Sequence, residues 1–291
     1  MSEIKNDPRL KQAAEEAIAK AADRRVISFT LDGETYWIKR KMSNGRKQFV
    51  KYSVEKEFYF EVAKMTIAFR AAPELSPEIL VLTPDYMVTR DGGRTLKNWL
   101  DSDRPEEDKE KLLEEAGRAL CALHQAGIVH GRPALRDITW KDGKFTFLDW
   151  ENRLFTRDIE EQKAIDLILL LHGLAREDYR EEGHRMEALD RGYLAQGGEE
   201  TRENAIRLFR KHGVLYRIVK ALSPFHMVDV EAARKVCEYL VTSDWGLGGI
   251  ALFLLRGAFR HPERSKMSDV RKCKGGTVRT ESKDLAPHHP L

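Results

Sequence analysis

His130, Asp137 and Asp149 are the residues of this chain whose types and spacing most readily do chemistry. Asp137 follows His130 by seven residues, and Asp149 follows Asp137 by twelve. Between the two acids, Ile138-Thr139-Trp140 and Phe145-Thr146-Phe147-Leu148 are β-branched and aromatic runs joined through Asp142-Gly143, a tight-turn dipeptide. A hairpin this short brings its two ends together, so both carboxylates are expected to emerge side by side. Paired carboxylate oxygens suit a magnesium ion, which takes one or two carboxylates and fills its shell with phosphate oxygens and water. The plainer alternative is a pair of solvated acids flanking a surface hairpin.

These residues need elements that hold them. Residues 8–23 are Ala-rich and amphipathic, which predicts a helix. Val26–Thr30 and Tyr36–Arg40, separated by Asp32-Gly33, predict a hairpin. From Ser53, a plausible N-cap, Val54, Phe58, Val62, Met65 and Phe69 recur at helical spacing. Ile79–Leu82 and Tyr86–Thr89 read as two more strands before Asp91-Gly92-Gly93, a turn or hinge. Residues 26 to 89 therefore read β-β-α-β-β. Beyond residue 94 the pattern is mainly helical: Thr95–Leu100, a long helix from Pro105 to near Gly127, then Glu160–Leu174, Ala205–His212, Leu215–Leu222, Val230–Val241 and Gly249–Phe259. Residues 264–291 are polar and basic without periodicity and read as a disordered tail.

The stretch 128–151 resembles the catalytic region of the protein-kinase-like phosphotransferases. That family carries His-x-Asp, four residues, then Asn, followed by a short hairpin and the metal-binding Asp of an Asp-Phe-Gly-like motif. His130 opens the loop, Asp137 takes the Asn place, and Asp149-Trp150-Glu151 takes the place of Asp-Phe-Gly. The Asp-Trp-Glu variant is similar to the lipopolysaccharide-core (Kdo/heptose) kinase-like and aminoglycoside-phosphotransferase-like groups. The resemblance covers about residues 26 to 175 and implies an α+β, two-lobed protein-kinase-like fold. Its small β-rich N-lobe with one main helix would span 26–93 and its larger, mainly helical C-lobe 94–263, with residues 1–25 as an N-terminal helical extension.

The same resemblance implies ATP and Mg2+ as cofactors and a hydroxyl-bearing acceptor on a sugar, glycolipid or protein. Lys39 stands where a strand lysine holds the nucleotide's α- and β-phosphates. Glu57 resembles the helix acid that orients that lysine, with Glu61, one turn on, as the alternative. Thr89 lies on the strand leading to the hinge that would take the adenine. Asp137 and Asp149 would bind the metal. Asp166 resembles the buried acid that braces the catalytic loop, and an acid inside the apolar run Ile165–Leu171 needs buried partners. Two departures stand out. Arg132 occupies the place of the usual catalytic Asp, so that Arg132 would face the transferred phosphate and Asp137 would receive the proton. The glycine-rich loop is missing, with only Gly33 between Val26 and Tyr36. Losing a general base costs on the order of 10²–10⁴ in rate, so a pseudokinase acting as a nucleotide-binding regulatory module is the rival reading. Transfer of a nucleotidyl group is a third.

Composition narrows the field further. The chain has 291 residues and a net charge of +3, too small to argue for a nucleic-acid partner. Its basic residues cluster, however: Lys39, Arg40, Lys41, Arg46, Lys47 and Lys51 are uninterrupted by an acid. That run is a solvated loop or a patch for phosphates or an anionic membrane surface. No apolar run reaches the ~18–20 residues of a membrane span, and the first residues lack the apolar core of a secretory signal. Cys121, Cys237 and Cys273 form no CxxC pair and read as free thiols in a reducing compartment. The expectation is a cytoplasmic protein, with a peripheral position at the inner membrane left open by the basic run. Cys121 and His124 sit three apart on one helix, but no second pair completes a zinc site. Hydrolysis by Ser-His-Asp lacks its Gly-x-Ser-x-Gly elbow.

Overall fold

The computed structural model describes residues 4, 6–21, 23–42, 54–151, 156–177, 184–211 and 228–243. Ser53, the loop at Ser43-Asn44-Gly45, most of the basic run 39–51, the helices expected at Leu215–Leu222 and Gly249–Phe259, and the tail lie outside the described residues. Chain contacts separate residues 1–246, which hold every element below, from residues 247–291.

Two antiparallel sheets frame the N-terminal half. In the first, β1 (Val26–Leu31), β2 (Glu34–Arg40), β3 (Ile79–Leu82) and β4 (Tyr86–Arg90) lie in the order β1-β2-β4-β3. Side chains alternate across a strand, and each face of this sheet has its own cover. Ile27, Ile38, Val81 and Val88 turn toward Leu10 and Ala14 of α1 (Pro8–Lys20). Met87 belongs instead to the main core with Phe58, Val62 and Met65 of α2 (Val54–Ala71). Helix α1 begins where local chemistry dictates: the Asp7 carboxylate accepts from the Arg9 N–H at 2.9 Å, and Pro8 occupies the first turn. It stops at Lys20, short of the predicted residue 23.

The second sheet joins β5 (Arg94–Thr95), β6 (Ile138–Lys141) and β7 (Lys144–Phe147), with β6 and β7 forming the predicted hairpin. Asp142 (φ 50°) and Gly143 (φ 79°) both adopt left-handed backbone, as a type I′ turn requires. The helices are α3 (Leu96–Leu100), α4 (Glu106–Gln125), α5 (Ile159–Glu177), α6 (His184–Ala195), α7 (Glu199–Lys211) and α8 (Val228–Ser243). A mixed α+β chain with an antiparallel-sheet N-terminal region and a mainly helical remainder results, as the sequence predicts.

Three elements were not anticipated: the two-residue strand β5, helix α6, and the first turns of α7. Helix α6 packs closely against α4. A Cβ on Gly117 would sit 2.0 Å from the Leu189 carbonyl oxygen, and one on Gly192 would sit 1.8 Å from that of Glu114. Only glycine at both positions permits that approach of backbones. No helix among the described residues is long and apolar enough to cross a membrane.

Candidate active site

Strand β2 carries Lys39 on the face opposite buried Ile38, so its ammonium projects away from α1 and toward α2 and the β6–β7 hairpin. There Lys39 Nζ donates to Glu61 Oε1 at 2.5 Å and to Asp149 Oδ1 at 2.9 Å. Burial works against the charged lysine, but Glu61 and Asp149 outweigh it and hold its pKa above the ordinary value. Glu61 is 1% exposed, so it has no other means of solvating its charge.

The lysine's partner is therefore Glu61, and the expectation for Glu57 is corrected. Glu61 falls three residues after Phe58 and four before Met65, inside the buried stripe of α2, whereas Glu57 is half-exposed one turn earlier. Charge-assisted hydrogen bonds of this kind contribute about 1.5–3 kcal/mol. Replacing Glu61 by Gln is accordingly expected to lower the melting temperature by about 3 °C or more. Glu57→Gln should leave it within about one degree, as thermal melts of the two variants will show.

Asp149 arrives from the far end of the hairpin. Its φ of 63° is left-handed, a conformation that Asp tolerates better than most side chains. Burial alone would raise its pKa, yet Lys39 and Arg25 hold it below the ordinary value. Asp137 sits at the near end, where the Leu148 N–H donates to its carbonyl at 2.7 Å and ties the two ends of the ribbon together. Asp137 and Asp149 line one cavity, as the short hairpin predicts. Asp137 is buried, and its Oδ2 has no hydrogen-bond partner. Burial, and then the charge of Asp149, push its pKa up to about 6.

The loop that opens at His130 is braced from two sides. Asp166, fully buried on α5, accepts from the N–H of His130 at 2.6 Å and of Gly131 at 2.8 Å. His130 Nε2 lies 2.6 Å from the Leu148 carbonyl, which makes Nε2 the protonated nitrogen and leaves Nδ1 unprotonated. Full burial lowers the pKa of that ring, so it is neutral. His130 thus clamps the segment carrying Asp149, and Trp150 packs on it with ring centroids 4.8 Å apart. Arg132, which follows Gly131, is half-exposed and places NH2 3.9 Å from Asp149 Oδ2, a loose approach from the solvent side.

Lys39, Glu61, Thr89, Asp137 and Asp149 share a cavity of about 340 Å³. Its lining also includes Val26, Trp37, Met87, Gly92 and Gly93. Trp37 is held in place by its indole N–H, which donates to Asp91 Oδ1 at 2.8 Å. Sequence reasoning missed several supporting residues. The Lys64 ammonium donates to the His130 carbonyl at 2.6 Å. His124 contacts Asp166 at 3.4 Å and the Tyr193 hydroxyl at 2.6 Å. Arg25 bonds Glu151 at 3.0 Å across 126 residues of sequence. Only His124 left a trace: a polar ring among Leu120, Leu123 and Ala119 needs buried partners.

No protein-family model matches the chain. An uncharacterized protein of Haemophilus influenzae is 32% identical over 164 residues, covering 55% of this chain and 67% of that one. The KEOPS complex subunit Bud32 of Pyrococcus abyssi is 30% identical over 127 residues, covering 44% of this chain and 55% of its own length. A probable serine/threonine-protein kinase BUD32 homolog of Archaeoglobus fulgidus is 27% identical over 139 residues, covering 47% and 66%. The chain thus spans between about half and two-thirds of the length of these relatives. Among solved structures, WaaP in complex with acyl carrier protein aligns with a TM-score of 0.42 at 14% identity, over 76% of this chain and 98% of that one. The chain is thus similar in sequence to Bud32 proteins, and that similarity supports a protein-kinase-like reading of it.

Proposed function

We propose that the chain is an ATP- and magnesium-dependent phosphotransferase that delivers the terminal phosphate to a hydroxyl of a sugar, glycolipid or protein. The observation that carries this reading is one lysine held between two acids of separate elements, Glu61 and Asp149, in a cavity that Asp137 also lines. Phosphoryl transfer asks a protein chiefly for positioning and for charge stabilisation, and that arrangement supplies both. The residues also fit the metal. Asp137 keeps a buried oxygen without a partner beside a second carboxylate, so the pair lacks one positive charge that a divalent cation would provide. Asp137 and Asp149 would hold it, and when bound it would neutralise phosphate charge.

Within this reading, Lys39 holds the α- and β-phosphates and Glu61 fixes the lysine. Thr89 and the strand end beside it face the nucleoside. His130 and Asp166 fix the backbone that presents Arg132 and Asp137. The nucleotide would lie between a lobe of residues 26–93 and one of residues 94–263. We place the reaction in the cytoplasm, where ATP is available and buried thiols such as Cys121 and Cys237 stay reduced. The basic residues after Lys39, from Arg40 to Lys51, would then give contact with an anionic membrane surface or acceptor.

One observation favours the rival reading of a nucleotide-binding pseudokinase: Arg132 occupies the catalytic acid's place and lies 3.9 Å from Asp149. A thermal-shift series with ATP, magnesium, and both together separates the two when run beside an ATP-turnover assay. The enzyme reading expects a rise in melting temperature that needs both ligands, together with measurable turnover. Binding without turnover or autophosphorylation would replace it with the regulatory module, and no binding would remove both.

A further inference from the structure

Arg25 stands immediately before β1, where Val26 pairs across to Lys39. Its backbone is pinned there, because its carbonyl accepts from the Arg40 N–H at 2.8 Å. Its guanidinium places NH2 3.0 Å from Glu151 Oε2, and its charge acts on Asp149. The same Glu151 oxygen lies 4.0 Å from Lys39 Nζ. Arg25 and Glu151 are both about four-fifths buried, and Arg25 Nε has no hydrogen-bond partner. A guanidinium carries five N–H donors, so one carboxylate oxygen leaves most of this one unused. Burying unused donors is costly unless something arrives to meet them.

A second observation says what would arrive. The β1–β2 turn at Asp32-Gly33 pairs Leu31 with Glu34, five positions along the ladder from Val26 and Lys39. At about 3.3 Å per residue, that turn lies roughly 17 Å from the lysine. Asp32 is further occupied by Arg9 of α1 at 2.9 Å. The turn's backbone amides are therefore remote from any phosphate that Lys39 holds. Among the described residues, Arg25 is a side-chain donor close to Lys39 with capacity to spare.

We infer that Arg25 is a second phosphate-binding cation of this cleft, and that Glu151 occupies its guanidinium until a polyphosphate displaces the carboxylate. This rests on the nucleotide reading above and deepens it. A carboxylate within 4.0 Å of Lys39 repels phosphate oxygens from that lysine. Glu151 therefore competes with the ligand, while Arg25 attracts it. Substitutions at the two ends of one ion pair should then act in opposite directions.

The test measures equilibrium binding of ATP and of adenosine, with magnesium present, to the full chain and to its Arg25→Gln and Glu151→Gln variants. Arg25→Gln is expected to weaken ATP about tenfold or more and to leave adenosine unchanged, since adenosine carries no phosphate. Glu151→Gln is expected to bind ATP as tightly as the wild type or severalfold more tightly. Equal loss of ATP and adenosine in Arg25→Gln, or no loss at all, overturns the inference. So does a Glu151→Gln protein that loses ATP as Arg25→Gln does, because a purely structural tie fails from either end. If ligand-free melting shows Arg25→Gln unfolded, the Glu151→Gln arm decides by the same criterion. A wild type that binds no ATP removes the nucleotide reading itself, and this inference with it.

Discussion

Asp149→Asn is expected, on the phosphotransferase reading, to lower ATP turnover by about 10³-fold or more while the protein still folds. The amide is isosteric with the carboxylate and keeps one oxygen for Lys39 Nζ, which now sits at 2.9 Å. Asn also tolerates the left-handed backbone found at this position (φ 63°). What it removes is a negative charge aimed at the place where a divalent cation and the phosphates would meet. Single preorganised electrostatic contacts at such places are worth about 10²–10³ in rate, and loss of a metal contact adds to that. Two measurements separate this from general damage. The magnesium-dependent part of the ATP-induced melting shift should vanish, whereas the ligand-free melting temperature should fall by only a few degrees, since the ion pair with Lys39 is lost while Asp137 loses a repulsive neighbour. Wild-type turnover in this variant would overturn the metal assignment.

The sequence yielded most where structure is local. Asp142-Gly143 could only be a tight turn between two β-branched runs, so the convergence of Asp137 and Asp149 on one cavity followed without tertiary knowledge. Lys39 was legible only through the resemblance of the 128–151 stretch, because its strand also carries the charges of Glu34 and Arg40. The choice between Glu57 and Glu61 turned on which side of α2 meets β2. The decisive signal was present, because Glu61 lies between Phe58 and Met65 on the buried stripe and an acid there must find a cation. Helix α6 was illegible because its packing depends on absent side chains. Gly192 reads locally as a helix weakener, whereas in the fold it is what lets Glu114 of α4 approach. The pairing of Arg25 with Glu151 left no signal, since it spans 126 residues and depends on the sheet and the hairpin meeting.

Asp166→Ala should have the largest effect on stability of any single substitution near the site. The carboxylate is fully buried and accepts two short hydrogen bonds from consecutive backbone N–H groups, those of His130 and Gly131. Alanine cannot replace either acceptor, and water has little access to a site with no exposed surface. Each orphaned buried donor costs about 1–3 kcal/mol, and the small cavity adds to this. A loss of about 3–5 kcal/mol follows, and at roughly 2–4 °C per kcal/mol for a domain of this size the melting temperature should fall by about ten degrees. Asp166→Asn should fall less, because one oxygen remains to accept while the amide N–H₂ confronts the second donor. Function should suffer through the loop it fixes: His130 would lose its anchor, and the clamp from its ring to the Leu148 carbonyl would loosen beside Asp149. On the phosphotransferase reading, in protein held well below its melting point, turnover should therefore drop at saturating ATP, whereas ATP affinity, which that reading ascribes to Lys39 and Glu61, should change little. Melting within about two degrees of the wild type would show that Asp166 does not hold this loop.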